Sequence, residues 1–242
     1  MWRNLIAGIQ FLTIIPFGPT QTLEPRKALP LFPICGLIIG GVLTLIDMSA
    51  AMLWSRSAVT VIDVVTLAAI TGALHLDGLG DTADGLYGRR PPEKALAIMK
   101  DSRIGAIGMV VVTCCLALKW AGISEIDHNR SYWLFLIPAF ARMTILFGVQ
   151  WLPYGRPDGG TGQSFFQQPP HPIDYWAVLL LLILTTLLTG WGVAIISLGF
   201  VVLVALILLY YWRKINCITG DMLGAMIEIV ETGLFILLAA FY

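Results

Sequence analysis

Residues 176–212 read WAVLLLLILTTLLTGWGVAIISLGFVVLVALILLYYW, and not one of them is charged. As a single helix this stretch would be about 55 Å long at a rise of ~1.5 Å per residue, whereas the hydrocarbon core of a bilayer is ~30 Å thick. Gly190 and Gly192 lie on either side of a tryptophan near its middle, where they favour a turn. The stretch therefore predicts two membrane-spanning helices joined by a short connection.

The rest of the chain has the same apolar character. Of its 242 residues, 57% are hydrophobic and 12% are charged, against ~25% charged residues in soluble domains. We predict an all-α, polytopic integral membrane bundle of about seven transmembrane helices (six to eight) that forms a single domain over residues 1–242. Residues 1–17 predict a helix that lies at the interface or re-enters the membrane. The predicted spans are 31–53, 59–76, 104–123, 132–152, 174–189, 191–212 and 222–242.

The basic residues are distributed unevenly over the predicted connections. Lys plus Arg and Asp plus Glu each number 15, so the net charge predicts no nucleic-acid partner. With the amino terminus inside, the inner side holds most cations, as the positive-inside rule requires. The inner cations are Arg3, Arg26, Lys27, Arg89, Arg90, Lys94, Lys100, Arg103, Arg156, Arg213 and Lys214, and the outer ones are Arg56, Lys119 and Arg130. We predict a multi-pass protein of the cell inner (cytoplasmic) membrane, in contact with its lipids.

The polar segments at 77–103, 154–171 and 213–221 all fall on this inner side. We therefore predict one active site that faces the cytoplasm and is built from three segments. Asp47 and Asp63 lie near the outer ends of the first two spans, and we expect them to face water or lipid headgroups.

Residues 75–90, HLDGLGDTADGLYGRR, carry three carboxylates at spacings of four and three. Asp77, Asp81 and Asp84 would lie on one face of a helix, about one turn apart. Like charges this close destabilise a helix unless a cation lies between them, and Mg²⁺ prefers carboxylate and phosphate oxygens. The segment therefore predicts a Mg²⁺ site with these three aspartates as ligands. The alternative is a solvated helix end on which acidic residues happen to cluster.

Residues 97–108, AIMKDSRIGAIG, add a fourth carboxylate and further cations. Asp101 is a fourth candidate ligand of the metal. Arg89, Arg90, Lys100 and Arg103 are candidates for binding phosphate oxygens, which a guanidinium binds with two parallel hydrogen bonds. Carboxylates that hold a metal and cations that hold phosphates are what phosphoryl transfer requires of a protein. The two segments together predict that reaction class.

Two further segments contribute candidate substrate-binding residues. Residues 154–162, YGRPDGGTG, form a glycine-rich loop in which Arg156 and Asp158 are the charged members. Asp221, Glu228 and Glu231 share one helical face, and the two glutamates lie within a predicted span. Because an ionisable residue in a membrane span normally faces a cavity or a partner, we expect a polar cavity that opens toward the cytoplasm. A buried pair between one glutamate and Arg142 is the alternative.

These motifs resemble those of the cobalamin synthase family. The resemblance rests on residues 77–85, DGLGDTADG, followed by residues 97–105, AIMKDSRIG, and it extends over nearly the whole chain. Weaker signatures are FLTIIP at 11–16, FPICGL at 32–37, YGRPDG at 154–159 and TGDMLG at 219–224. The resemblance implies a Mg²⁺-dependent membrane enzyme whose partners are adenosylcobinamide-GDP and α-ribazole, or its 5′-phosphate. Such an enzyme joins the two and releases GMP. The sequence leaves open whether the chain forms a homo-oligomer.

A more distant resemblance is to the CDP-alcohol phosphotransferases, which act on lipids. Residues 81–85, DTADG, match the start of their motif, but Gly105 stands where that family has its acidic base. We therefore leave Asp77 and Asp101 as joint candidates for the catalytic base. A lipid phosphotransferase is one alternative function. A cation transporter is the other, in which the carboxylates would line an ion path.

Overall fold

The structure is a computed structural model that describes residues 2–19, 21–101, 103–156, 159–160 and 162–241. Short 3₁₀ turns lie at Leu29–Leu31, Gln163–Phe166 and Pro172–Tyr175. The helices are α1 (Trp2–Leu12), α2 (Pro25–Ala28), α3 (Phe32–Ala50), α4 (Arg56–Ile70), α5 (Leu74–Leu86), α6 (Pro92–Met99), α7 (Ala106–Glu125), α8 (Arg130–Trp151), α9 (Trp176–Thr189), α10 (Gly192–Ile215) and α11 (Gly220–Ala239).

Six described helical segments are long and apolar enough to cross a membrane. They are Pro25–Ala50, Ala106–Glu125, Arg130–Trp151, Pro172–Thr189, Gly192–Ile215 and Gly220–Ala239. The pair α4 and α5 passes the same test jointly. The chain is thus a polytopic helical membrane protein, as predicted. Helix α1 has 11 residues and a length of about 16 Å, which is too short to cross a bilayer.

The centre of the bundle is formed by α8 and α11, which are the most deeply buried of the spans. Helix α3 packs along α8, and α11 contacts α5, α7, α8 and α10. Helices α9 and α10 leave most of their apolar surface exposed, as expected of helices that face lipid. Any feature placed on α11 is therefore held by four neighbouring helices.

Two glycines allow α3 and α8 to approach closely. A Cβ atom at Gly36 would lie 2.5 Å from the carbonyl oxygen of Pro138, and one at Gly40 would overlap the carbonyl group of Phe135. This is the small-xxx-small pattern that lets two membrane helices bring their backbones together. Dispersion contacts between the two backbones then stabilise the pair.

We predict that Gly40→Ala destabilises the protein by about 2 kcal/mol, because the added methyl group forces α3 away from α8. Gly41→Ala is the matched control, since its Cβ would first meet Phe135 at an ordinary 3.8 Å. Thermal unfolding of both variants in detergent measures the difference. Equal midpoints for the two variants would contradict the close helix contact.

The predicted span 59–76 is wrong at its carboxyl end. Helix α4 ends at Ile70, and the chain then bends by 85° into α5. Gly72 and Ala73 make the bend with φ angles of 59° and 57°, the left-handed region that interrupts a helix. As a result Asp77, Asp81 and Asp84, the predicted metal ligands, lie on a separate helix that packs against α11.

From the sequence we expected Asp47 and Asp63 to face water or lipid headgroups, and this expectation was wrong. Both carboxylates are buried, and both bind Arg130, at 2.7 Å and 2.5 Å respectively. Arg130 also donates to the backbone carbonyl of Ile123. This ion cluster joins α3, α4 and α8 at the end of the bundle away from α5. Its charges are buried as pairs, because burying either charge alone would cost several kcal/mol.

Candidate functional site

The aspartate-rich helix lies directly against the start of α11. A Cβ at Gly78 would be 2.7 Å from the carbonyl oxygen of Asp221, so only a glycine lets the two helices meet here. The face of α5 that carries Asp77 and Asp81 is thereby brought to the amino-terminal end of α11. Asp77 is exposed, whereas Asp81 and Asp221 are half-buried.

The glycine-rich loop reaches the same place through backbone pairing. Tyr154 and Ile218 form an isolated parallel β-bridge, in which the Gly155 N–H donates to Ile218 at 2.8 Å and the Ile218 N–H donates to Pro153 at 2.9 Å. This pairing places Arg156 beside Asp221, and their side chains form a salt bridge of 2.5 Å. The predicted convergence of the three polar segments is therefore confirmed. Asp158 lies outside the described residues.

The resulting cluster has more negative than positive charge. The charge of Asp81 interacts with those of Asp77 and Asp221, which also interact with each other. Arg156 supplies one positive charge among these three carboxylates. These side chains offer the oxygen ligands that Mg²⁺ prefers. As the side chains stand, no group of three or more acids, histidines or cysteines among the described residues is arranged to hold a metal ion. The prediction did not count Asp221 among the metal ligands.

In the described part of the chain, Asp84, unlike Asp77 and Asp81 on the same helix, binds backbone N–H groups at the start of α7. One carboxylate oxygen accepts the backbone N–H of Gly105 at 2.7 Å, and the other accepts that of Gly108 at 2.9 Å. A Cβ at either glycine would overlap the Asp84 carboxylate. Asp84 thus anchors the amino terminus of α7, where a negative charge is favoured by the helix dipole. Its predicted role as a metal ligand is untested, and we leave it out of the donor set below.

We predict that Asp84→Ala and Gly108→Ala each destabilise the protein by about 2 kcal/mol, because each removes hydrogen bonds between a charged group and a helix terminus. Gly80→Ala is the control on α5, the helix of Asp84, since a Cβ at Gly80 would meet its neighbours at an ordinary 3.6 Å. The midpoint of thermal unfolding in detergent measures the difference in stability between these variants. A stable Gly108→Ala variant would contradict the anchoring role.

Asp101 belongs to an exposed ion pair. It binds Arg103 at 2.6 Å, and the hydrogen bonds from Arg103 lower the pKa of Asp101 to about 2. A carboxylate with so low a pKa is a weak base at neutral pH. Asp101 is thus engaged with Arg103, whereas Asp77 lies beside Asp81 in the acidic cluster.

The predicted phosphate-binding cations surround the cluster at different depths. Arg90 donates to the backbone carbonyl of Asp84 at 2.6 Å, and Arg156 donates to that of Met99 at 3.0 Å. Arg89, Lys100 and Arg103 are exposed. Arg156 is the cation that directly contacts an acid of the cluster. Of the three exposed cations, Arg103 is paired with Asp101.

Glu228 and Glu231 are not in an open cavity. Lys119 binds both glutamates, at 2.6 Å and 2.7 Å, and Arg142 binds Glu231 as well; all four side chains are buried. The structure has the pairing given as the alternative, with Arg142 bound to Glu231, in a balanced network of two cations and two anions. A role of these glutamates in substrate binding stays a prediction. The assignment of Lys119 to the outer surface was also wrong. Two acids inside one span already implied two intramembrane cations, which Lys119 and Arg142 provide.

We predict that Lys119→Met destabilises the protein by about 3 kcal/mol, because it leaves Glu228 buried without its cation. Adding Glu228→Gln to this variant restores the charge balance and should recover part of the loss in thermal unfolding. Glu228→Gln alone should lower stability without changing the KM of any substrate. A Glu228→Gln variant of unchanged stability with a raised KM would instead support the substrate-binding role.

Comparison of the whole chain with known proteins identifies its family. A family model described as cobalamin-5-phosphate synthase matches residues 4–239. The chain belongs to this family. No solved structure matches it.

Relatives in the cobalamin-5-phosphate synthase family are similar to this chain along most of its length. An adenosylcobinamide-GDP ribazoletransferase of Clostridium acetobutylicum is 35% identical, over 96% of this chain and 93% of the relative. Proteins of the same name from Roseiflexus sp. and Alkaliphilus metalliredigens are 34% and 36% identical, over 93% and 95% of this chain. They cover 84% and 92% of those relatives. The resemblance stated from the motifs is thus confirmed at the level of the family.

Proposed function

We propose that this chain is an adenosylcobinamide-GDP ribazoletransferase. It joins α-ribazole, or its 5′-phosphate, to adenosylcobinamide-GDP and releases GMP. Family membership supports the reaction. The observation that supports its location is the cluster of Asp77, Asp81 and Asp221 with one arginine, which three separate segments build at one end of the bundle. The surrounding basic residues favour a cytoplasmic position for this end of an inner-membrane protein.

The reaction exchanges one phosphorus–oxygen bond for another. A ribose hydroxyl of α-ribazole attacks the phosphorus that carries the cobinamide arm, and the bond from this phosphorus to the oxygen of GMP breaks. The hydroxyl proton passes to a carboxylate. We assign this role to Asp77, because it is the most exposed acid of the cluster and Asp101 is held by Arg103.

Asp77, Asp81 and Asp221 are the residues that would hold Mg²⁺. The ion usually takes one or two carboxylates directly, which leaves a third available as the base. When bound, it supplies neutralisation of the diphosphate charge. Arg156 is fixed by Asp221 and Met99, so it orients a second positive charge toward the same phosphates. Arg89 and Lys100, whose side chains are exposed, are the cations that would bind the phosphate of the leaving GMP.

The assay uses purified protein in detergent with adenosylcobinamide-GDP, α-ribazole and Mg²⁺, and follows the release of GMP. We predict that Asp81→Asn and Asp221→Asn each lower kcat by at least about 100-fold, in the range of losing one electrostatic contact to the transition state. Asp127→Asn is the control, because Asp127 lies in an exposed pair with Arg56 at the far end of α7. It should retain activity.

Two results would contradict the proposal. One is wild-type protein that releases no GMP but transfers phosphate from a CDP-alcohol, which would identify a lipid enzyme. The other is flux of a divalent cation into liposomes without any nucleotide, which would identify a transporter. If the wild-type protein releases GMP and Asp81→Asn does so at the same rate, the reaction stands and only the proposed location of the site is contradicted.

A further inference from the structure

A small cavity lies beside the acidic cluster, between α1, α5, α8 and α11. Its volume is about 70 Å³, enough for two or three water molecules or one hydroxymethyl group. Asp77 and Asp221 line its polar side, together with the backbone at Gly162 and Gly220. Phe11, Phe165, Ile145 and Leu223 are among the apolar residues that line the rest.

His75 lines the same cavity and has an unsatisfied nitrogen. Its side chain is buried, with 3% of the residue exposed, and Nδ1 has no hydrogen-bond partner among the described residues. The charges that face it belong to Lys119, Arg142 and Glu231, and these are already engaged with one another. An unpaired polar atom in such a place costs about 1–3 kcal/mol. The cost is removed when a group with a hydrogen-bonding hydroxyl or amide enters the cavity.

The polar groups of the cavity restrict what can enter it. A hydroxyl suits these groups, because it donates to a carboxylate and also pairs with an imidazole nitrogen. The aromatic and aliphatic walls leave room for little more than this hydroxyl and the carbon that carries it. Of the two substrates, the acceptor is the one whose ribose hydroxyl must reach the acidic cluster, and the cavity beside Asp77 has room for such a hydroxyl.

We propose that this cavity is the entrance of the acceptor subsite, and that His75 Nδ1 hydrogen-bonds a ribose hydroxyl of α-ribazole there. The assignment rests on the proposed function. It places the attacking end of the acceptor beside Asp77. His75 is then a residue that selects and orients the acceptor.

Steady-state GMP release with full-length protein tests this assignment. His75→Leu should raise the KM for α-ribazole at least about tenfold, the equivalent of losing ~1.4 kcal/mol of binding. It should leave the KM for adenosylcobinamide-GDP within about twofold. His75→Asn places an amide near the position of Nδ1 and should stay close to wild type. His75→Gln places its amide near Nε2 and should behave as His75→Leu does. His128→Leu, in the exposed turn after α7, is the matched control.

Binding of α-ribazole without the donor separates this assignment from the proposed reaction. Equilibrium dialysis should show wild-type protein binding α-ribazole and His75→Leu binding it at least about tenfold more weakly. This result would stand even if no GMP were released. No binding by wild type, equal binding by both proteins, or a KM raised equally for donor and acceptor would each overturn the proposal. If His75→Leu fails to fold, the comparison of His75→Asn with His75→Gln decides, and equal KM values for these two would overturn it.

Discussion

Four buried charges hold the centre of this membrane protein together. Glu228 and Glu231 of α11 pair with Lys119 of α7 and Arg142 of α8. In a bilayer none of these groups is stable alone, because an unpaired buried charge costs several kcal/mol and water is not there to solvate it. The three helices must therefore stay in the one register that keeps all four side chains in contact. This network determines where α11 lies.

The position of α11 in turn organises the candidate site. Its first residues lie against α5 at Gly78 and pair with the glycine-rich loop through Ile218. Asp221 thereby meets both the aspartates of α5 and Arg156. Asp84 fixes the other side of α5 by binding the backbone of α7 at Gly105 and Gly108. The acidic cluster is therefore built on helices that are anchored at both sides, as a preorganised electrostatic site requires.

Sequence reasoning succeeded where a property follows from composition or from helical period. The uncharged run at 176–212 predicted two spans and a turn at Gly190, and the structure has α9 and α10 on either side of that glycine. The spacing of Asp77, Asp81 and Asp84 predicted a helix, which α5 is. It failed where side chains from distant segments choose partners. Lys119, Asp47 and Asp63 were placed at the outer surface because the sequence does not show the ion pairs that bury them.

By itself the sequence determined the membrane environment, the helical class, the family motifs and the segments that carry charge, because hydrophobic length and residue spacing are local quantities. Tertiary structure alone decided which charges are paired in the core and which lie together at the start of α11. It assigned Asp84 to the start of α7, Asp101 to Arg103, and Asp221 to the cluster on α5. The physical reason is that the sequence shows where the charged side chains are along the chain but not which of them meet. The role of each depends on the partner that the fold brings within hydrogen-bonding distance.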